Sequence, residues 1–587
     1  MWKGWVRYAD TLTLNGICRS LYRYFDNDGF KWIGVGTSSR FYAVSDDINY
    51  EVTPLRKTTD PLGSDPVSVT DTLTTVEITD TSHGGYTGDS VILSGLTATG
   101  GVPAGDLNTE HVITYVDDNT FSIVVDTAAT SSTTGGGASG VAKYILNPGT
   151  EDQVEGAGWG SLSWSEEEWG GDPTLAIGDQ IAQWSQDNWG EDLVVCNYKA
   201  DIYYWDSSSP SNRMLALADL GGADGNEPTV ATFIIMSHRD RHLLAFGTNA
   251  YSTSTYTPLN IRWCDQEDIT KWDESSLTET SGSLLATHGS EWICGIRARD
   301  EIIAWTDSAM YAVQYIGAPL IFGLEILAQN TDIVGLNAAV YQNDVVYWIG
   351  RSGFYAYTGR VEPIPCPVWD YVERDINWDQ PKKIFCSTFK LHDEIIWFYA
   401  STDGTENDKY VSYNYVENAW TIGSLTRTAW LDSSSQDNPI ATCGSSNFMI
   451  EHEVGYKNGL DDTALDAYIE STPIELSSEG SFDKGDRMMF VRRIFPDITF
   501  LDADDGINTP AATMTLKMMD KPGGGFNAKT DGGSVARTAT SPIETYTDEI
   551  HTRLRGRSLT FRVESTSKGT RWRIGRPRVD VRTDGQR

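Results

Sequence analysis

The feature that most constrains this chain is a strand-pair pattern that returns about every 50 residues. It is clearest over residues 340–359, where a turn (Gln342, Asn343, Asp344) leads into a short apolar run (Val345, Val346, Tyr347, Trp348). A glycine turn from Gly350 to Gly353 then precedes an alternating run, Phe354 to Tyr357. Period-two alternation bounded by Asn, Asp and Gly is the pattern of a β-hairpin. The same order recurs where Glu191-Asp192 precedes LVVCNY, Asp240-Arg-His precedes LLAFG, Arg299-Asp-Glu precedes IIAW and His392-Asp-Glu precedes IIWFY. Measured from the paired apolar residues, the register points are Val194, Leu243, Ile302, Val345 and Ile395, with gaps of 49, 59, 43 and 50. An N-terminal copy lies near Trp32, after Asp28-Gly. Several short strands in a unit of this length predict β-propeller blades, about six of them, in an all-β protein. No 3.6-residue period runs inside the units, which excludes a helical solenoid.

At 587 residues the chain exceeds a single core. Residues 1–65 read as the first propeller strands and 147–430 as the blades. Between them, residues 66–146 are rich in Thr, Ser, Val and Gly, contain no Trp or Cys, and alternate cleanly, which predicts a small β-domain inserted in a propeller loop. Residues 431–587 hold strand-like runs separated by Gly-rich loops and predict a C-terminal β-sandwich-like domain. The loop DKPGGGFNAKTDGGS is expected to stand out as a long hairpin tip. No apolar run approaches the roughly 20 residues that span a bilayer. The start, MWKGWVRYAD, lacks the apolar stretch of a secretory signal. Seven scattered cysteines without a Cys-x-x-Cys pair suit free thiols in a reducing compartment.

Charge is unevenly spread. The chain holds 45 Lys+Arg against 82 Asp+Glu, a net −37, which argues against an outer surface that grips nucleic acid. From His551 to the end there are 11 Lys+Arg and 3 Asp+Glu, so that stretch carries +8 and the rest −45. A basic end on an acidic body predicts a docking end. The plainer alternative is an Arg-rich edge strand that resists aggregation.

A search for catalytic or binding motifs finds none that holds. There is no Gly-x-Ser-x-Gly elbow, no phosphate loop and no His-Glu-x-x-His, since His452-Glu453 lacks the second His. Asp502-x-Asp504-Asp505-Gly506 departs from the calcium-loop order, with Gly at position five and Thr513 at twelve, and reads as an Asp/Gly turn. His238, His242 and His392 fall beside turns, where a hydrogen-bonded structural role is expected. Glu166-Glu167-Glu168, set in the Trp/Gly cluster GWGSLSWSEEEWGG, is the one acid group that suits sugar hydrolysis, and the tryptophans there suit packing between blades or a stacking platform. No catalytic, cofactor or metal residue is nominated, and the chain is expected not to be an enzyme.

Taken in order, the segments GFKWIGVGTSSRFYAV, YEVTPLR, TVEITDTSHGGYTGDSVILSG, GGGASGVAKYILNPG, SHRDRHLLAFG and GRSLTFRVESTSKGTRWRIGRPRVDVRTDG resemble the tail nozzle (tail hub, or packaged-DNA stabilisation) proteins of short-tailed bacteriophages. The resemblance covers most of the chain and rests on the ordered combination. It implies a propeller-bearing subunit of a ring, a homohexamer in relatives, below the adaptor that extends the portal. The partners implied are other copies, the adaptor, tail fibres or tailspikes, and passing double-stranded DNA without sequence recognition, through a channel that opens for ejection. The implied place is the virion tail, assembled in the bacterial cytoplasm, with no membrane insertion and no cofactor. The insert at 66–146 is not universal in such proteins. An acidic lining would let a duplex slide rather than stick. The basic end supplies the expected interface, with Arg571, Arg573, Arg576 and Arg578 offered to carboxylates and Trp572 alternating with them on a strand. A carbohydrate-binding or glycoside-hydrolysing propeller is the alternative.

Overall fold

The computed structural model describes residues 3–9, 12–45, 47–153, 180–434, 437–444, 447–476, 487–503, 511–519 and 538–584. The Trp and glutamate cluster of 158–171, the 520–534 loop, and Asp504 to Gly506 lie outside these residues. The described chain is all-β apart from the helices Ala104–Leu107 and Trp369–Asp375 and three single 3-10 turns. It divides into two compact units, 9–449 and a second one formed by 1–8 with 450–587.

Six four-stranded antiparallel sheets occupy most of the first unit, each formed by four strands paired in chain order. They span 18–51, 184–216, 233–285, 292–329, 339–364 and 385–424, and are called blades one to six. Each register point of the repeat falls on the second strand of its blade. Trp32 lies in Lys31–Thr37, Val194 in Asp192–Asn197, Leu243 in His242–Asn249, Ile302 in Ile302–Thr306, Val345 in Val345–Gly350 and Ile395 in Glu394–Ala400. These strands are buried on both faces because a blade is covered by its neighbours, and His242–Asn249 is buried at all eight positions. The turn before Val345 has Asn343 and Asp344 both at positive φ, 52° and 62°, as a two-residue primed hairpin turn requires.

The innermost strands of successive blades lie side by side, from Cys18–Phe25 through Trp184–Trp189, Phe233–Ser237, Trp292–Arg297 and Ala339–Gln342 to Phe385–Phe389. The ring closes through a seventh sector. The strand Ala429–Leu431, paired with Ile440–Thr442, lies against both Phe385–Phe389 and Cys18–Phe25. Aromatic rings fill the seams between blades. Trp32 meets Trp205 edge-on at 5.0 Å between ring centroids, Phe246 meets Trp292 at 5.4 Å, and Trp305 meets Trp348 at 5.4 Å. Phe354 meets Trp397 at 4.7 Å, and Phe389 meets Trp430 of the seventh sector at 5.4 Å. Such pairs add about 0.5–1.5 kcal/mol each beyond the area they bury.

The inserted segment hangs on blade one. Leu55–Thr59 pairs with Val141–Ile145 in a four-stranded sheet, and a five-stranded sheet runs from Thr114–Asp117 to Thr133–Gly135. Val76, Ile78, Val91, Leu93, Phe121 and Tyr144 belong to one core that serves both sheets. In the second unit, Trp5–Arg7 pairs antiparallel with Met449–His452. Its main core lies under two sheets, one built on Ala511–Met519 and Ser558–Ser565, the other on Met489–Phe495. All seven cysteines are unpaired. Among the described residues no helix is long and apolar enough to cross a membrane.

Candidate docking surface

In the second unit Met489–Phe495 is the middle strand of three, flanked by Ile550–Gly556 and Arg578–Thr583. Alternation sends one set of side chains inward. Met489, Val491, Ile494, Ile550, Leu554, Val579 and Val581 join the core. The other face carries His551, Arg553 and Arg555 on one edge strand and Arg578, Asp580 and Arg582 on the other. Half-buried Phe490 stands between Arg555 and Arg582, and Phe495 stands opposite Arg578. A bulge at Arg492 leaves that side chain exposed as well.

Part of this charge is matched. Arg493 donates to Glu549 at 3.0 Å and to Asp580 at 3.1 Å, which holds its guanidinium pKa above the ordinary value. His551 lies 3.2 Å from Glu549, and Arg555 pairs with Asp584 at 2.6 Å. No carboxylate lies within ion-pair distance of Arg492, Arg553, Arg578 or Arg582 among the described residues, and all four are exposed. Four uncompensated guanidinium groups on one small sheet cannot stabilise the fold, because like charges at this spacing repel.

The residues nominated from the sequence are distributed differently. Trp572 is buried in the core of the unit, and Arg571 and Arg573 point away from it on Thr570–Ile574, a strand that pairs with Ile498–Ala503 rather than with the three-stranded sheet. Arg571 lies over the Tyr456 ring at 5.4 Å and donates to its hydroxyl at 3.2 Å. The Arg576 backbone N–H donates to Asp497 at 2.5 Å. Arg578 alone of the set joins the arginine face. Arg492, Arg553 and Arg582 complete that face, and its sequence signal is the alternation IHTRLRG in 550–556, with every second residue from 551 basic or His.

The first unit stands in contrast. It holds 23 Lys+Arg and 60 Asp+Glu, whereas the second unit holds 22 of each, so the whole −37 belongs to residues 9–449. This acid excess is not on the innermost strands of the ring. They carry one acid, Asp187, together with Arg19, Arg23 and Arg297. Asp187 accepts from the Tyr22 hydroxyl at 2.8 Å, the Met236 N–H at 2.9 Å and Arg297 at 3.2 Å, and so ties the inner strands of blades one to four together. Burial pushes its pKa up, but His238, Arg297 and the Met236 N–H together hold it below the usual range.

A second internal tie fixes the chain returning from the insert. The Lys383 side chain, fully buried, donates to Asp152 at 2.5 Å and Glu406 at 2.6 Å. Arg19 forks onto both Glu406 oxygens at 2.6 Å and reaches the Glu151 carbonyl at 3.0 Å. Gln153 exchanges hydrogen bonds with Gln380 at 2.8 and 3.0 Å. Between blade one, the insert and this strap lies a polar cleft of about 430 Å³ bordered by Arg40, Asp89 and Glu151. Arg40 is already paired there with Glu110 and bonded to Ser90, and its buried Nε, without a hydrogen bond, lies 3.6 Å from Glu51. Among the described residues no group of His, Cys, Asp and Glu is placed to hold a metal ion.

No protein-family model matches the chain. No curated protein matches it either. Among solved structures, a phage phi92 endosialidase is similar at 14% identity, with 58% of this chain and 53% of that chain covered, and a TM-score of 0.21. The chain thus spans about half the length of the endosialidase. A fungal alcohol oxidase of the AA5 family is similar at 8% identity over 89% of this chain and 99% of that one, with a TM-score of 0.31. Hsv2 of Kluyvelomyces marxianus is similar at 7% identity over 45% and 69%, with a TM-score of 0.27. Likenesses at these scores assign neither a family nor an activity.

Proposed function

We propose that the chain is a structural subunit of a short phage tail, a nozzle that joins other copies in a ring and forms with them a gated passage for double-stranded DNA. In this reading it has no enzymatic role, acts in the virion tail, and meets the adaptor on one side and fibres or spikes on another. The observation that carries the reading is the separation of charge. Sixty acids crowd the propeller unit while the other unit is neutral and offers a face of free arginines. A subunit of a conduit needs both properties, carboxylates that keep phosphate from sticking and cations that hold a protein neighbour. Because the innermost strands carry more Arg than Asp, an acid-lined passage has to be built between copies from outer strands and loops, not through the bore of one ring.

The test is to image virions labelled with an antibody raised against the insert, 66–146. Label at the tail, below the capsid vertex, is expected. Particles free of label, with the protein found only in the host lysate, would overturn the assignment.

A further inference from the structure

The arginine face has a geometry that restricts what can cover it. Its two edge strands, Ile550–Gly556 and Arg578–Thr583, both carry alternate arginines, so a further strand added at either edge would meet repulsion from a basic partner and gain nothing apolar. Phe490 and Phe495 lie half-buried among the guanidinium groups and give the middle of the face an apolar floor. Guanidinium groups are weakly hydrated and fork onto carboxylates, so they leave water for an acidic protein surface at modest cost. Two such faces cannot pair with each other, because four free arginines would then oppose four more.

We propose that this face docks against the acidic propeller unit, 9–449, of a second copy of the chain. The partner is chosen by charge: the propeller unit has 37 more acids than bases, and the arginine face belongs to the unit that has none in excess. Since the two contacting patches differ, the contact can repeat head-to-tail, and repetition of one head-to-tail contact gives a closed ring or an open filament. The inference deepens the nozzle reading and takes from it only the expectation that the assembly closes.

Sedimentation of the purified full chain at about 50 and about 500 mM salt tests it, since screening at the higher value cuts the reach of exposed charges to a few ångströms. Wild type is expected to form a discrete multimer at low salt and to dissociate at high salt. The variant Arg553→Ser/Arg578→Ser/Arg582→Ser is expected to sediment as a monomer at both, each arginine removed weakening association about tenfold. Its circular dichroism and melting should match wild type, and the control Arg571→Ser/Arg573→Ser should still assemble. A triple variant of wild-type mass, or a wild-type multimer indifferent to salt, would overturn the docking site while leaving the tail assignment to the antibody label. Wild type that stays monomeric but is retarded by a short DNA duplex through these arginines would also overturn it, in favour of a phosphate-binding face.

Discussion

The two units use charge in opposite ways. In the propeller unit several cations are spent internally. Lys383, Arg19 and Arg262 are almost wholly buried and each is bound to a carboxylate, while acids outnumber the cations that remain outside. In the other unit four exposed arginines share one sheet face and meet no carboxylate among the described residues. The difference teaches where each unit's charges act. Buried ions specify how the ring closes, whereas exposed ones are available to a neighbour.

The largest effect should come from breaking a buried tie. Lys383→Ala empties a fully buried position and leaves Glu406 with Arg19 as its remaining ion-pair partner, and should cost the propeller unit about 3–5 kcal/mol in denaturant unfolding. A loss below about 1 kcal/mol would mean that the cluster does not hold the ring. Trp397→Ala, which empties the seam beside Phe354, should cost a similar ~3–5 kcal/mol.

A smaller effect separates the units by pH. Burial, with help from Asp219, pushes the Asp201 carboxyl up to about 6. A carboxyl raised in this way takes a proton in the folded state before the unfolded chain does. The fold therefore gains stability as pH falls from 7 through 6 towards 4, and loses it as pH rises. Asp201→Asn should flatten that part of the profile and stabilise the propeller unit by about 1–3 kcal/mol at pH 7. An unchanged slope in the variant would place the titration elsewhere.

Salt sharpens the comparison further. Screening relieves self-repulsion across the whole acidic unit, and in the neutral one only that within the arginine face. The propeller transition should rise by a few degrees, roughly, between low and moderate salt, with the second transition nearly fixed. Equal shifts would contradict the separation. The smallest effect is expected for Arg578→Ala, an exposed cation without a partner, which should change the stability of its own unit by no more than about 0.5 kcal/mol.

Much of the ring could be read in the sequence because a blade's second strand is buried on both faces. Runs such as LLAFG and IIWFY therefore show as unbroken apolar stretches behind an Asp-bearing turn. The seventh sector could not, since Ala429–Leu431 and Ile440–Thr442 are three residues each and carry no such turn. Arg571, Trp572 and Arg573 alternate visibly, and the structure places the indole in the core with its neighbours outside. The face that gathers Arg492, Arg553 and Arg582 was hidden for a different reason. It depends on Met489–Phe495 pairing with strands some 60 and 90 residues later, and no local period records such a pairing.

The most direct test of the proposed assembly is a single-particle reconstruction of the purified full chain at low salt. Several copies around an open lumen, each arginine face covered by the next copy's propeller unit, is the predicted result. Single copies, with Arg553, Arg578 and Arg582 facing solvent, would contradict it.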